Sequence, residues 1–296
     1  MDTFIELYPA TALGFCLLFA LCIGSFLNVV IHRLPIMLQR QWKAECHSFL
    51  ADDAQPAEPS DRQTNATYNL MVPRSCCPNC KSMITAWQNI PVVSWLLLRG
   101  KCANCKTPIS ARYPLVELAS AGFALACWWQ FDFSIQFVLA SIFCIILLCL
   151  ALIDLDTMFL PDQITLPTLW LGLLINLDAN FVNLQDAVLG AAIGYGFLWS
   201  LFWLFKLLTG KEGMGYGDFK LLAMIGAWFG WQALPLTILL SSLIGASVGI
   251  GLMVLAKHKQ SQAIPFGPYL AIGAVCYLFF GDAIQHWYFS YIGLVH

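Results

Sequence analysis

Eight apolar runs of near-membrane length leave this chain few folds to choose from. They lie near Ala10 to Ile31, Tyr113 to Gln130, Ser134 to Ile153, Leu160 to Leu177, Gln185 to Leu208, Phe219 to Trp231, Leu234 to Ala256 and Pro268 to Ser290. A helical bilayer crossing takes about 20 apolar residues, and the fourth and sixth runs are short or interrupted. Only 11% of the 296 residues are charged, against roughly 25% in a soluble domain. This excludes a disordered chain and argues against a soluble globular one. The expected fold is an all-α polytopic membrane protein of about eight transmembrane helices, with one polar insert.

The few charges are unevenly placed. Between His32 and Arg112 there are ten Lys or Arg residues and five acids. These cations are scattered, without interleaved aromatics, so nucleic acid is not expected as a partner. Asp2 and Glu6 precede the first run, where a signal peptide would be basic, and His32 and Arg33 follow it. It therefore reads as a retained span with its N-terminus outside. Eight crossings then put all fifteen basic residues on the inside, Lys206, Lys211, Lys220, Lys257 and Lys259 included. Asp2, Glu6, Asp132, Asp178, Asp186 and Asp282 fall outside, as does the C-terminus. The positive-inside rule is obeyed throughout. The expected division is a first span at 1–31, a cytoplasmic insert at 32–112 and a seven-helix core at 113–296. Within the insert, His47 to Tyr68 reads as a mobile stretch.

Cys77-x-x-Cys80 and Cys102-x-x-Cys105, with 21 residues between them, have the paired-knuckle spacing of a four-thiolate Zn²⁺ site. On the basic, reducing side of the membrane a disulfide pairing is the weaker reading. Cys76 is the alternative to Cys77, at a spacing that fits less well. Four cysteines leave no open coordination position, so the ion is expected to fold the insert rather than do chemistry. Between the knuckles, Asn89 to Leu98 is too apolar for an ordinary loop. It is expected to form a small core or lie on the membrane surface.

Two acids stand at inside helix ends. Asp154 closes the third run in Leu152-Ile153-Asp154-Leu155-Asp156, and Asp218 opens the sixth in Gly213-Met214-Gly215-Tyr216-Gly217-Asp218. Ionisable residues at span boundaries suggest function, although an interfacial Asp also serves as a solvated cap. Asp156 and Asp162 suit the cap reading, because both sit in a polar turn. The alternating glycines remove side chains and permit unusual backbone angles, so an extended chain can approach the Asp218 carboxylate. They do not make a phosphate loop, since no Lys-Ser/Thr follows in the required place and no strand precedes. Two carboxylates brought together can share one proton. The ionised one then acts as base on water, and the protonated one polarises a carbonyl and protonates a leaving amine.

These residues resemble a known family in order and spacing over nearly the whole chain. The matching pieces are Gly24 to Pro35, the four-cysteine insert, Leu98 to Cys102, Arg112 to Glu117, Ile153-Asp154 through Leu160-Pro161-Asp162, and Gly215-Tyr216-Gly217-Asp218. The chain resembles bacterial type IV prepilin peptidases, bifunctional leader peptidases and N-methyltransferases similar in architecture to membrane GxGD aspartyl proteases. The resemblance implies catalytic roles for Asp154 and Asp218, which are 64 residues apart, with Asp156 the runner-up for the first acid. It implies prepilins and type II secretion pseudopilins as substrates, cut after a Gly that ends a short basic leader. It also implies methylation of the new N-terminal residue, usually Phe, from S-adenosyl-L-methionine. The expected location is the bacterial inner membrane, with insert and active site cytoplasmic. Gly100 and Glu117 are the candidate contacts to the methyl donor. Gly100 also reads as the turn entering the second knuckle, and Glu117 as an interfacial residue at the start of a span. No dinucleotide-type GxGxxG places that donor.

Two other readings compete. A transporter would use Asp154 and Asp218 as a proton or cation relay, and a zinc-stabilised scaffold would use neither. A relay calls for acids near mid-membrane, whereas these lie at one face beside a glycine-rich loop.

Overall fold

The computed structural model describes residues 7–52, 68–255 and 264–291. Asp2, Glu6, Lys257, Lys259 and most of the stretch expected to be mobile lie outside them. Among the described residues all regular structure is helical apart from two isolated β-bridges. The long helices are α1 (Pro9–Asp52), α3 (Arg112–Phe131), α4 (Ile135–Thr157), α5 (Asp162–Ile175), α6 (Leu184–Thr209), α7 (Tyr216–Phe229), α8 (Ala233–Leu255) and α9 (Gly267–Tyr291), with α2 a short helix at Val93–Leu97. Each apolar run coincides with one of the eight long helices.

Among the described residues, four helices are long and apolar enough to cross a membrane: Pro9–Leu50 within α1, then α4, α6 and Ala233–Val254 within α8. By contrast α5 and α7 have 14 residues each, about 21 Å of helix against the roughly 30 Å of a hydrocarbon core. The first run does not stop at His32-Arg33. It continues through Pro35 as a 44-residue helix to Asp52, so the residues from His47 to Asp52, read from composition as loop, are helical. No Pro or Gly falls between Met37 and Asp52, and the one interior proline, Pro35, removes only one backbone bond.

The chain divides into two compact units, 1–125 and 126–296. In the first, α1 meets the start of α3 where Gly24 faces the Cα of Glu117, and Asn28 Nδ2 donates to the Tyr113 carbonyl at 3.2 Å. Arg33 donates to the Asn69 carbonyl at 3.1 Å.

In the second unit α7 is the central element. Phe219 and every residue from Leu221 to Phe229 are buried, as expected of a helix that is apolar all round. It is packed by α5, α6, α8 and α9. Gly190 and Gly194, four apart on α6, face the backbone of Gly226 and Leu222 on α7. Such small-residue crossings let two helices close to backbone contact where lipid supplies no hydrophobic drive. Buried Asn176 ties down the far end of α7. Its Nδ2 donates to the carbonyls of Ala227 and Trp228, both at 3.0 Å, and its Oδ1 accepts from the Phe181 and Val182 amides. The Trp228 indole donates to the Thr168 carbonyl of α5 at 2.8 Å. Phe143 lies against Trp228 and Phe229, with ring centroids 4.7 and 4.9 Å away.

Gly226→Val places a branched side chain in the α6–α7 crossing. It is expected to cost about 1–3 kcal/mol or more by overpacking, read as a lowered melting temperature of the full chain in detergent.

Candidate active site and four-cysteine centre

The two knuckles are built alike. The Cys77 amide donates to the Ser82 carbonyl at 2.9 Å, and the Cys102 amide to the Thr107 carbonyl at 2.8 Å. Lys81 and Lys106 both turn the chain through left-handed backbone angles, with φ 58° and 60°. Asn79 Nδ2 joins the knuckles by donating to Thr107 Oγ1 at 2.8 Å. The four sulfurs of Cys77, Cys80, Cys102 and Cys105 lie within 4.8 Å of one another. Cys77 and Cys105 are 3.7 Å apart, Cys80 and Cys102 4.0 Å. A tetrahedral Zn²⁺ with bonds near 2.3 Å requires edges of about 3.8 Å, so the donor set fits that ion. Hydrogen bonds from the Thr107 side chain, then its backbone, pull the Cys105 thiol down to about 5, and those from Ser82 lower Cys80. Both effects favour the thiolates that bind metal. Cys76 is exposed and outside the cluster, paired by backbone with Met83.

The two candidate methyl-donor residues have local jobs. Glu117 is buried and accepts the Val92 amide on Oε2 at 2.7 Å, at the residue preceding α2. Gly100 has φ 65°, and a Cβ there would lie 2.9 Å from the Trp95 ring. It therefore serves the turn into the second knuckle.

The second unit brings Asp154 and Asp218 together. Asp154 lies one turn from the C-terminal end of α4, buried, and accepts the Gly267 amide on Oδ2 at 3.0 Å. Gly267 is the first residue of α9, so its N–H has no partner within the helix, and a carboxylate there is favoured. Asp218 is the third residue of α7, also buried, and within electrostatic reach of Asp154. Buried Leu160 packs between Gly217 and Gly267. A Cβ on Gly217 would lie 2.9 Å from the Leu160 Cβ, and one on Gly267 would lie 2.6 Å from Asp154 Oδ2 and 3.3 Å from Leu160 Cδ1. At Gly215 the nearest atom to such a Cβ is Asp218 Oδ2, 3.8 Å away, so space is left beside the carboxylate. Lys220 reaches both oxygens of Asp162 at 2.7 Å and joins the starts of α7 and α5. A half-exposed pair of this kind contributes about 1 kcal/mol or less, so it orients more than it stabilises.

Two sequence expectations change here. Gly213, Gly215 and Gly217 do not adopt left-handed angles, which among described glycines occur at Gly100, Gly210 and Gly230; Gly217 and Gly215 act by leaving room. Asp156 is exposed, on the other side of α4 from buried Asp154. Gly267 and Leu160 escaped the sequence reading. A glycine set between prolines in Pro265-Phe266-Gly267-Pro268 was the available signal.

Residues 18–131 match the bacterial peptidase A24 N-terminal domain, and 141–250 the type IV leader peptidase family. The chain is 59% identical over 274 residues to the prepilin leader peptidase/N-methyltransferase of Aeromonas hydrophila, covering 92% of both chains. The chain belongs to the prepilin leader peptidase/N-methyltransferase family. Other members include that of Pseudomonas aeruginosa, 52% identical over 277 residues, covering 94% of this chain and 93% of the relative. That of Stutzerimonas stutzeri is 51% identical over 293 residues, covering 98% and 99%. No solved structure matches the chain. The two family segments fall on either side of the boundary region that carries α3 into α4, with the cysteine knuckles in the first and both buried acids in the second.

The purified full chain is expected to carry about one equivalent of metal by elemental analysis, and Cys102→Ser to carry almost none, because three thiolates cannot close the site.

Proposed function

We propose that this chain cuts the basic leader from type IV prepilins and type II secretion pseudopilins after its terminal Gly, and then methylates the exposed N-terminal residue, usually Phe. The observation that carries the reading is the pair of buried carboxylates, Asp154 and Asp218, with open space at Gly215. The substrate backbone enters the Gly215–Gly217 loop on the Gly215 side, where the nearest atom to an added Cβ is the Asp218 carboxylate, while Leu160 fills the space at Gly217. One carboxylate takes a proton from water as the water oxygen attacks the scissile carbonyl. The other, protonated, donates a hydrogen bond to the carbonyl oxygen, and a proton then passes to the leaving amine as the C–N bond breaks. The Gly267 amide holds one Asp154 oxygen and leaves the other for this work.

The chain is a multi-pass membrane protein. Its finer topology in this reading is about eight transmembrane helices, the short α5 and α7 among them, with both termini outside. Residues 1–31 provide the first span, 32–112 the cytoplasmic insert and 113–296 the protease core in the bacterial inner membrane. A leader held in the cytoplasm and an apolar helix in the bilayer put the scissile bond at the inner interface, the level assigned to Asp154 and Asp218. One structural Zn²⁺ on Cys77, Cys80, Cys102 and Cys105 folds the insert. S-adenosyl-L-methionine supplies the methyl group. Gly100 and Glu117 are the candidate contacts to it, Gly100 by close backbone approach and Glu117 as a polar group, and no proton or methyl movement is assigned to them.

Asp154→Asn and Asp218→Asn, in the full chain in lipid with a prepilin, are each expected to lose cleavage by about 10³-fold or more. Methylation of a pre-cut pilin should persist in both, which separates catalytic loss from misfolding. Cleavage retained by either variant removes that residue from the reaction. Gly267→Ala is expected to slow cleavage by about tenfold, since its new methyl displaces the Asp154 oxygen it now holds.

A further inference from the structure

The segment between the two knuckles is apolar, yet it buries little of itself. Trp87 is 82% exposed, Leu97 79%, Leu96 61% and Val93 49%. Val93, Leu96 and Leu97 stand at i, i+3 and i+4, one face of α2. The opposite face is anchored through Trp95, whose indole donates to the Ile109 carbonyl at 3.2 Å and whose ring covers Gly100. Trp87 lies in the turn Ala86–Asn89, which packs beside α2. Fixed on one side and uncovered on the other, this face needs an occupant.

Its charge and position indicate which. From Tyr68 to Ala111 the chain holds no Asp or Glu, while Arg74, Lys81, Arg99, Lys101 and Lys106 are all exposed. This surface attracts anions even after the negative charge of a four-thiolate Zn²⁺ centre is set against it. Position adds a second constraint. Val92, at the start of α2, donates its amide to Glu117, whose Cα would lie 2.7 Å from a Cβ on Gly24. Gly24 is inside the apolar run of α1, seven residues before Ile31, or about 10 Å along the helix. The start of α2 is therefore held at the level of the last turns of a membrane-crossing segment. An apolar face with a tryptophan beside it, held at that depth on an insert whose residues 68–111 carry exposed cations and no acid, has the chemistry of an interfacial element.

We infer that the α2 face formed by Val93, Leu96 and Leu97, with Trp87, inserts into the headgroup and upper acyl region of an anionic bilayer and anchors the cysteine insert to it. This rests on the membrane reading of α1, not on the catalytic one.

Photo-crosslinking of the full chain in phosphatidylethanolamine–phosphatidylglycerol vesicles tests the proposal. Leu97→p-benzoylphenylalanine, and independently Trp87→p-benzoylphenylalanine, are expected to give lipid adducts by mass spectrometry at about ten times the yield of the same probe at Lys106. Exchanging phosphatidylglycerol for phosphatidylcholine should lower the yield at least about twofold, since the cations then lose their anionic partners. Both replaced side chains are exposed, and unchanged metal content and prepilin cleavage certify the fold. Adducts to the chain itself, to a second copy or to a co-reconstituted prepilin overturn the proposal. So does a lipid yield no greater than at Lys106. Cleavage measured on the same samples reports on the protease reading separately.

Discussion

A carboxylate buried among apolar helices must find a donor, and the Gly267 amide is the one that meets Asp154. That bond joins the end of α4 to the start of α9 across more than a hundred residues of chain. It also explains why three segments meet at one point. Gly267 needs its N–H free, which the first turn of a helix guarantees, and it needs no side chain, because Asp154 and Leu160 occupy the space a methyl would take. Leu160 in turn needs Gly217, and Gly217 precedes Asp218. A leucine is thus wedged between two glycines, one beside each of the two acids.

Such an arrangement demands a rigid support, which α7 receives over its whole length. The Gly190–Gly226 crossing permits backbone contact with α6, and Asn176 uses its donors and acceptor to close the far end. The helix is too short to present a flexible end on both sides. Its buried C-terminal half is held by aromatic rings and the Trp228–Thr168 bond, so its N-terminal turn, with Asp218, inherits a defined place. In a membrane protein, where apolar burial alone discriminates poorly between packings, backbone contact and satisfied polar groups supply that definition.

The first unit uses a different economy. It has little apolar core around the knuckles, and its order comes from repeated turns, cross-knuckle hydrogen bonds and four thiols placed at tetrahedral edges. Trp95 and Glu117 then fasten the intervening segment to the second knuckle and to α3. Because the anchoring groups face inward, the remaining apolar side chains face outward.

Much of this was legible in the residues themselves. Apolar runs mark eight helices because lipid-like surroundings demand long uncharged stretches, and the CxxC pairs mark the thiol cluster because turn geometry is local. Asp154 and Asp218 stood out for the same reason, as charges at the ends of apolar segments. Other features depended on distant partners. The continuation of α1 to Asp52, the exposed side of Asp156, and the roles of Leu160 and Gly267 follow from which side chains pack together, and no local pattern encodes that. The sequence by itself determined the helical membrane class, the charge asymmetry and which cysteines form the four-thiol cluster. Only the tertiary structure decided which acid is buried, which amide holds it and which glycines leave room, because those are contacts between segments up to 113 residues apart.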